Sequence, residues 1–273
     1  MKIPKPVSAD RFRLADIDSA DHLGLENKDH TREKTERITQ EIGDLQQQLF
    51  ADSTQALLVV LQGMDTAGKD GTIRRVFDHV NPAGVHVCSF KTPSAEEKLH
   101  DFLWRVHQRV PAYGQIGIFN RSHYEDVLIV RVHADQMLPP HLRRDRHIFQ
   151  RRFDMINAFE DSLSLSRIKI IKFFLHISKA EQKARLEARE QERDKNWKLS
   201  ASDFAERKYW DRYQTCYQDA IAHTSTPRAP WYVIPSDHKW VRDICVATLV
   251  RDALLSMKPR PPMPVDKPGS AAK

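Results

Sequence analysis

The feature that most constrains the fold is a continuous apolar run, Ala56–Leu61, followed at once by a glycine-rich segment that ends in Lys69. A run of this length is typical of a strand that is buried on both faces, as in a parallel sheet. The pattern GxxxxGK that follows lies between this strand and a predicted helix over 69–79. A strand, a tight loop and a helix in this order predict the first half of a β-α-β unit.

The rest of the chain alternates strand and helix patterns in the same way. Further strands are expected over 85–90, 116–119, 168–177 and 231–234. Further helices are expected from about Thr31 and over 94–110, 139–163, 178–193, 202–222 and 238–257. Ser94 and Ser178 are predicted helix N-caps, because each is followed three residues later by a glutamate. This order predicts an α/β fold of three layers, α/β/α, with a five-stranded parallel sheet between the helices.

The glycine-rich segment has the composition of a loop that binds phosphate. Gly63 and Gly68 allow backbone torsions that turn successive N–H groups inward. The amino end of the next helix adds unpaired donors and a partial positive charge, and Lys69 adds a point charge. The predicted phosphate contacts come from Gly63, Met64, Thr66, Ala67, Gly68, Lys69, Asp70, Gly71 and Thr72. The alternative is a purely structural turn between strand and helix.

Two acidic residues distinguish this loop from that of an ordinary nucleoside triphosphatase. Asp70 follows Lys69, at the position where such loops carry the hydroxyl that holds Mg²⁺. Asp65 lies inside the loop and would repel bound phosphate unless a cation lay between them. Asp65 is therefore a candidate Mg²⁺ ligand, directly or through water. The alternative is that Asp65 only caps the turn.

A second group of charged residues follows the third predicted strand. Ligands bind beyond the carboxyl ends of the strands in open parallel sheets, so Arg121 is placed to clamp phosphate. Asp126 would complement Asp65 at the metal, and Arg131 could offset charge in the transition state. Packing is the alternative for His123 and Tyr124, and a surface charge or salt-bridge partner is the alternative for Glu125.

A strongly charged segment over about 185–212 resembles a mobile lid that brings cations over bound phosphates. Arg185, Arg189 and Arg193 recur every four residues and so lie on one helix face. Lys195, Trp197 and Lys198 follow them. In isolation, a solvated helix face is the competing interpretation.

Charge and composition narrow the class of protein further. The net charge of +6 and the pI of about 9.2 suit an anionic partner. The three cysteines are widely spaced, which argues against a disulfide framework or a structural zinc site and favours a reducing cytoplasm. No apolar run is long enough for a membrane helix, and the first residues lack the pattern of a signal peptide. Residues 1–30 are expected to form an N-terminal arm and 258–273 a flexible tail around a domain over 31–257.

Several long motifs resemble the polyphosphate kinase 2 family. They read GMDTAGKDGT, SFKTPS, IGIFNRSHYEDVLIVRV and KNWKLSASDFAER, and the resemblance spans roughly residues 10–257. The members that phosphorylate AMP and ADP (class III) are the nearest by the FRLADID and LLVVLQGMDTAGKDGT segments. The resemblance implies a thymidylate-kinase-like P-loop kinase fold with a helical lid, and assembly as a homodimer or homotetramer.

It also implies phosphoryl transfer between inorganic polyphosphate and the purine nucleotides AMP and ADP, with GMP and GDP as further acceptors. Mg²⁺, with Mn²⁺ as an alternative, would be positioned by Asp65 and Asp126. Lys69 would hold the phosphates, while Arg121 and Arg189 would stabilise the moving phosphoryl group. Lys91 would line the path of the polymer.

Two other functions remain open from the residues alone. An ATP-dependent nucleoside or nucleotide kinase would share the fold and the loop. A non-catalytic module that binds nucleic acid is supported by charge alone, because no recognised nucleic-acid motif is present and the aromatic residues are not interleaved with the basic ones. No nucleic-acid or membrane partner is therefore expected.

Overall fold

The computed structural model describes residues 1–8, 12–191, 205–260 and 262, and within them the chain forms one five-stranded sheet. The strands are β1 (Ala56–Gly63), β2 (Val85–Ser89), β3 (Ile116–Asn120), β4 (Ile168–His176) and β5 (Trp231–Pro235). Their order is β2-β3-β1-β4-β5, and all neighbouring pairs are parallel. The predicted α/β fold with a five-stranded parallel sheet is confirmed.

The α-helices surround this sheet. They are α1 (Lys28–Asp52), α2 (Lys69–Val76), α3 (Trp104–His107), α4 (Ile129–Val132), α5 (Ala134–Met137), α6 (Ile148–Leu165), α7 (Lys179–Gln191), α8 (Trp210–Thr224) and α9 (Lys239–Met257). Short 3-10 helices span Leu14–Asp16, Pro82–Gly84, Glu97–Leu99, His123–Val127 and Arg207–Tyr209. None of the helices in the described part of the chain is long and apolar enough to cross a membrane.

The central position of β1 decides where the loop lies. β1 pairs with β3 on one side and β4 on the other, and each of its residues is buried. Its continuous apolar sequence fits a strand that is covered on both faces. Because all five strands are parallel, the segments after β1, β3 and β5 emerge at the same edge of the sheet.

Two predicted helices are shorter than the sequence suggested. Over 94–110 the predicted N-cap does form, since Ser94 N donates to Glu97 Oε2 (2.7 Å) and Glu97 N donates to Ser94 Oγ (3.1 Å). The helix nevertheless stops after one 3-10 turn, because the Asp101 carboxylate accepts from Leu103 N and starts a new turn. Over 139–163 only α6 is helical, and Asp145 similarly accepts from His147 N just before that helix.

The first 27 residues lie against the domain where the structure describes them. Val7 N donates to the Trp231 carbonyl (2.9 Å), and Leu14 is buried. Further along, Ser19 Oγ donates to Asp237 Oδ2 (3.0 Å). These contacts tie the segment to the β5 side of the sheet, and α1 begins directly after it at Lys28.

Candidate active site

Gly68 lies at the point where the loop turns into α2. Its φ of 104° is in the left-handed region that glycine tolerates best. A Cβ atom at this position would lie 1.9 Å from Nη1 of Arg242, so the guanidinium packs directly against the glycine. Thr66 also has a positive φ, of 66°, although it carries a side chain. The loop conformation therefore depends on contacts from elsewhere in the fold.

Two arginines supply those contacts. Arg185 Nη1 donates to the Thr66 carbonyl (3.0 Å), and its Nη2 donates to the carbonyls of Ser236 (2.6 Å) and Asp237 (2.8 Å). Arg242 Nη1 donates to the Ala67 carbonyl (3.3 Å). The expectation that Arg185 is a lid cation is therefore corrected: its side chain joins the loop to the segment after β5. Arg242 was not among the predicted residues, because its position on α9 carries no local signal.

Lys69 folds back over the loop. Its Nζ donates to the carbonyls of Gly63 (2.7 Å) and Met64 (3.3 Å). Burial, and after it the Arg121 cation, lower the pKa of Lys69 from 10.5 to about 8, against the opposing charge of Asp65. A phosphate would compensate this desolvated ammonium group, so the arrangement suits an anionic ligand.

Arg121 links the loop to the segment after β3. Its Nη2 lies 2.8 Å from Asp65 Oδ1, and its Nη1 lies 3.6 Å from Glu125 Oε2. Arg121 has a φ of 63°, which is an uncommon conformation for a residue with a side chain. Burial raises the pKa of Glu125, whereas Arg121 and Lys69 act in the opposite direction. Glu125 is therefore a salt-bridge partner of Arg121, which is one of the alternatives that the sequence left open for it.

Asp126 belongs to a different ion pair. Its Oδ1 lies 3.5 Å from Arg152 Nη1, which also donates to the Asp126 carbonyl (2.5 Å). Burial raises the pKa of Asp126 from 3.8 to about 6, against the lowering effect of Arg152. The structure therefore pairs Asp65 and Asp126 with separate arginines. Arg152 was not foreseen because it lies on α6, far along the chain.

Mg²⁺ is the cofactor that the family resemblance implies. The described residues provide carboxylate ligands but not a complete set of protein ligands for the ion. In the ranges that the structure describes, no group of three or more His, Cys, Asp or Glu side chains could hold a metal ion. Mg²⁺ is usually bound by one or two carboxylates together with phosphate oxygens and water. The donor chemistry of Asp65 and Asp126 fits an ion whose coordination is completed by substrate phosphate.

The other residues that were predicted to contact phosphate lie either in the first turn of α2 or buried in the loop before it. Asp70 lies in the first turn of α2 and accepts a hydrogen bond from Asn120 Nδ2 (2.7 Å). Thr72 donates its hydroxyl to the Gly68 carbonyl (3.0 Å) and therefore stabilises the helix start. Met64 and Ala67 are buried, while Gly71 lies in the first turn of α2.

Three more basic residues that were predicted to contact the substrate lie further from the loop. Lys91 is exposed just beyond β2, and its carbonyl accepts from Arg105 Nη1 (2.8 Å). Arg131 is predicted to contact phosphate, and in the structure its Nη2 lies 2.7 Å from Asp219 Oδ2 on α8. Arg189 is half-buried on α7. The predicted lid residues Arg193, Lys195, Trp197 and Lys198 lie outside the described residues.

A buried polar network supports the segment behind the site. Lys172 Nζ contacts Glu160 Oε2 and also donates to the hydroxyl of Tyr124 (2.9 Å). The Tyr124 hydroxyl donates to Glu160 Oε1 (2.9 Å), and His123 Nε2 lies 3.2 Å from the same oxygen. His123 and Tyr124 are therefore internal residues that anchor the 3-10 helix carrying Glu125 and Asp126, as the packing alternative held.

A parallel sheet with a GxxxxGK loop after its central strand, and with charged side chains around that loop, defines a P-loop kinase. The model of the family described as polyphosphate kinase 2 (PPK2) matches residues 25–262. The chain belongs to this family, which confirms the resemblance seen in the sequence.

Relatives and a solved structure agree with this assignment. The chain is 44% identical over 255 residues to the AMP/ADP-polyphosphate phosphotransferase of Meiothermus ruber, covering 93% of this chain and 92% of the relative. It is 43% identical to the ADP-polyphosphate phosphotransferase of Rhodopseudomonas palustris, covering 85% and 82%. The crystal structure of polyphosphate kinase 2 from Arthrobacter aurescens TC1 superposes with a TM-score of 0.89 at 40% identity, covering 97% of this chain and 94% of that one.

Proposed function

We propose that this chain transfers a phosphoryl group between inorganic polyphosphate and nucleotides, forming ADP and ATP from AMP and ADP. The observation that supports it best is the loop that presents half-buried Lys69 opposite the Arg121–Asp65 ion pair at the carboxyl edge of the sheet. The relatives named for AMP and ADP extend the proposal to both acceptors, in the manner of class III. GMP and GDP are proposed as further acceptors.

In this reaction, a terminal phosphate oxygen of the nucleotide attacks the terminal phosphorus of the polyphosphate. The bond to the bridging oxygen breaks, and the polymer leaves shortened by one phosphate. Little covalent chemistry is required of the protein, so its contribution is positioning and charge stabilisation. Lys69 and the loop N–H groups hold the donor phosphates, and binding of these anions favours the protonated state of Lys69, which burial disfavours.

Arg121 is the residue that reorganises when substrate binds. Its ion pairs with Asp65 and Glu125 hold the guanidinium between the loop and the segment after β3. A guanidinium at this position can exchange a carboxylate for two oxygens of the moving phosphoryl group. Arg189 would complete the charge stabilisation from α7, and Lys91 would contact the polymer.

Asp65 and Asp126 would hold Mg²⁺, with Mn²⁺ as a substitute. The ion would neutralise phosphate oxygens and help to orient the donor and the acceptor. Asp65 is freed for this role if Arg121 moves to phosphate, and Asp126 is freed if Arg152 relaxes from its 3.5 Å contact. We further propose that the chain assembles as a homodimer or homotetramer and acts in the cytoplasm.

The test is incubation of the purified chain with AMP, ADP, GMP or GDP, Mg²⁺ and polyphosphate, followed by chromatography of the nucleotides. Formation of ADP and ATP from polyphosphate is expected. A parallel incubation replaces polyphosphate by ATP as the donor for AMP. If only ATP serves, the chain is an ATP-dependent nucleotide kinase and the proposal is wrong.

A further inference from the structure

Arg152 is a buried arginine of α6 that lies behind the segment after β3. Its side chain is only 7% exposed, whereas most arginines lie at the surface of a protein. It meets Asp126 where α6 packs against the 3-10 helix His123–Val127. A charge that is buried to this degree requires partners, and the partners of Arg152 indicate what it does.

One nitrogen of the guanidinium contacts Asp126 at two points. Arg152 Nη1 donates to the Asp126 carbonyl (2.5 Å) and lies 3.5 Å from Asp126 Oδ1. The contact with the carbonyl is a short hydrogen bond from a charged donor, which is a strong type of hydrogen bond. The contact with the carboxylate is longer than an ordinary hydrogen bond of roughly 2.7–3.2 Å. Arg152 therefore holds the main chain at Asp126 more firmly than it holds the carboxylate.

Two aromatic rings hold the guanidinium of Arg152 in place. Its central carbon lies 5.2 Å from the ring centre of Phe102 and 5.9 Å from that of Phe149. Phe102 precedes α3, and Phe149 lies in the first turn of α6. A planar guanidinium can pack against rings while it donates hydrogen bonds from its edge, which a compact ammonium group cannot do. The position of Arg152 is thus fixed by contacts other than those with Asp126.

The start of the same 3-10 helix is held by a second residue of α6. The Tyr124 hydroxyl donates to Glu160 Oε1 (2.9 Å), and His123 Nε2 lies 3.2 Å from that oxygen. Glu160 and Arg152 lie about two turns apart on α6. A 3-10 helix of a few residues has poor hydrogen-bond geometry and depends on support from outside. Glu160 supports its start, and Arg152 supports the residue that faces the site.

The position of a carboxylate matters most where it binds a small, rigid ion. Mg²⁺ requires nearly ideal octahedral geometry, so a displaced ligand loses much of its contribution. Carboxylates that bind a metal are usually held by further hydrogen bonds, and loss of such a partner typically costs about 10- to 100-fold in metal affinity or activity. Arg152 is in the place that such a partner would occupy for Asp126.

We propose that Arg152 is a positioning residue for Asp126. It holds the main chain through the carbonyl, so that the carboxylate can exchange its 3.5 Å contact for an ion on substrate phosphate while the 3-10 helix stays in place. The proposal rests on the proposed function, since it deepens the part that Asp126 plays in the same site. Arg152 itself touches neither the substrate nor the ion.

The experiment compares Arg152→Lys and Arg152→Met with a control, Arg151→Met. Arg151 is the neighbouring arginine of α6, is 68% exposed and lies 3.2 Å from Asp145. The affinity for ADP is measured without polyphosphate, once with Mn²⁺ and once with EDTA. The ratio of the two affinities isolates the contribution of the ion. Thermal unfolding is measured in parallel, and kcat and KM are measured with polyphosphate, ADP and Mg²⁺.

Both Arg152 variants are expected to lower the affinity ratio and kcat about 10-fold or more. The affinity for ADP in EDTA and KM for polyphosphate should stay close to those of the wild type, and the control should match the wild type throughout. A purely structural role would lower the unfolding temperature and leave the affinity ratio unchanged, which would overturn the proposal. Tighter binding with Mn²⁺ in either variant would also overturn it, because Arg152 would then compete with the ion.

The lysine variant keeps the test decisive if Arg152→Met does not fold. Lysine retains the charge but not the planar group, so a lysine variant that behaves as the wild type would overturn the proposal.

A further variant tests whether Arg152 acts through Asp126. Arg152→Lys added to Asp126→Asn should lower the affinity ratio little further, because the carboxylate to be positioned is already gone. Equal losses in the two backgrounds would overturn the proposal. A wild-type chain that forms no ATP from polyphosphate would instead refute the proposed function, and this result does not depend on any variant.

Discussion

Replacement of Asp126 by asparagine is expected to stabilise the free protein while it removes most of the activity. Asp126 is 16% exposed, and its pKa of about 6 lies above the ordinary 3.8 because burial disfavours its charge. The difference of about two pKa units corresponds to about 3 kcal/mol at 1.36 kcal/mol each. Asparagine keeps the shape of the neutral acid and avoids this cost, so an increase of about 1–3 kcal/mol in the free energy of unfolding is expected above pH 6.

The sign of the pH dependence follows from the raised pKa. Between pH 3.8 and about 6 the native state holds the Asp126 proton more strongly than the unfolded state does. The wild-type protein therefore loses stability as pH rises through this window, and the advantage of the variant grows over the same window. Near pH 4 the two proteins should differ little.

Urea denaturation of both proteins at pH 8 and pH 4.5 measures this effect, and the nucleotide assay measures activity. Asp135→Asn is the control, because Asp135 is an exposed aspartate of the same stretch of chain. It should alter neither quantity. A variant that is less stable than the wild type at pH 8 would show that the contact with Arg152 outweighs the burial of the carboxylate. Retention of full activity would remove Asp126 from the proposed metal site.

Three further outcomes are expected. Gly68→Ala should lower the free energy of unfolding by about 2–4 kcal/mol in a urea titration, because a positive φ costs about 1–2 kcal/mol and the new Cβ displaces buried Arg242; an unchanged midpoint would contradict the described packing. Lys172→Met should lower the free energy of unfolding by about 3–5 kcal/mol, because Glu160 is left buried without its cation. Adding Glu160→Gln should recover part of this loss. A double variant that is less stable than Lys172→Met alone would show that the two residues do not stabilise the protein as an ion pair. Finally, kcat/KM for polyphosphate should fall as pH rises through about 8, where free Lys69 loses its proton, and a flat profile from pH 7 to 9 would contradict this.

The strands and the loop were predictable because local patterns determine them. The apolar run of β1 and the glycines after it predict a buried strand and a tight turn from neighbouring residues alone, although contacts from Arg185 and Arg242 hold the loop in its final conformation. The prediction of one continuous helix over 94–110 was wrong, and the reason is also local. Its N-cap formed as expected, but the side chain of Asp101 competed for backbone N–H groups and ended the helix. Helix propensity alone does not predict which of two local hydrogen bonds of similar energy forms.

The sequence by itself determined the order of strands and helices, the phosphate loop and the chemical types available after β3. Only the tertiary structure decided which charges pair: Asp65 with Arg121, Asp126 with Arg152, Arg131 with Asp219, and Arg185 with backbone carbonyls. Arg152, Asp219 and Arg242 lie on helices whose positions depend on the sheet order β2-β3-β1-β4-β5. Backbone torsions respond to neighbours along the chain, whereas the pairing and burial of a charge depend on distances set by packing between distant segments.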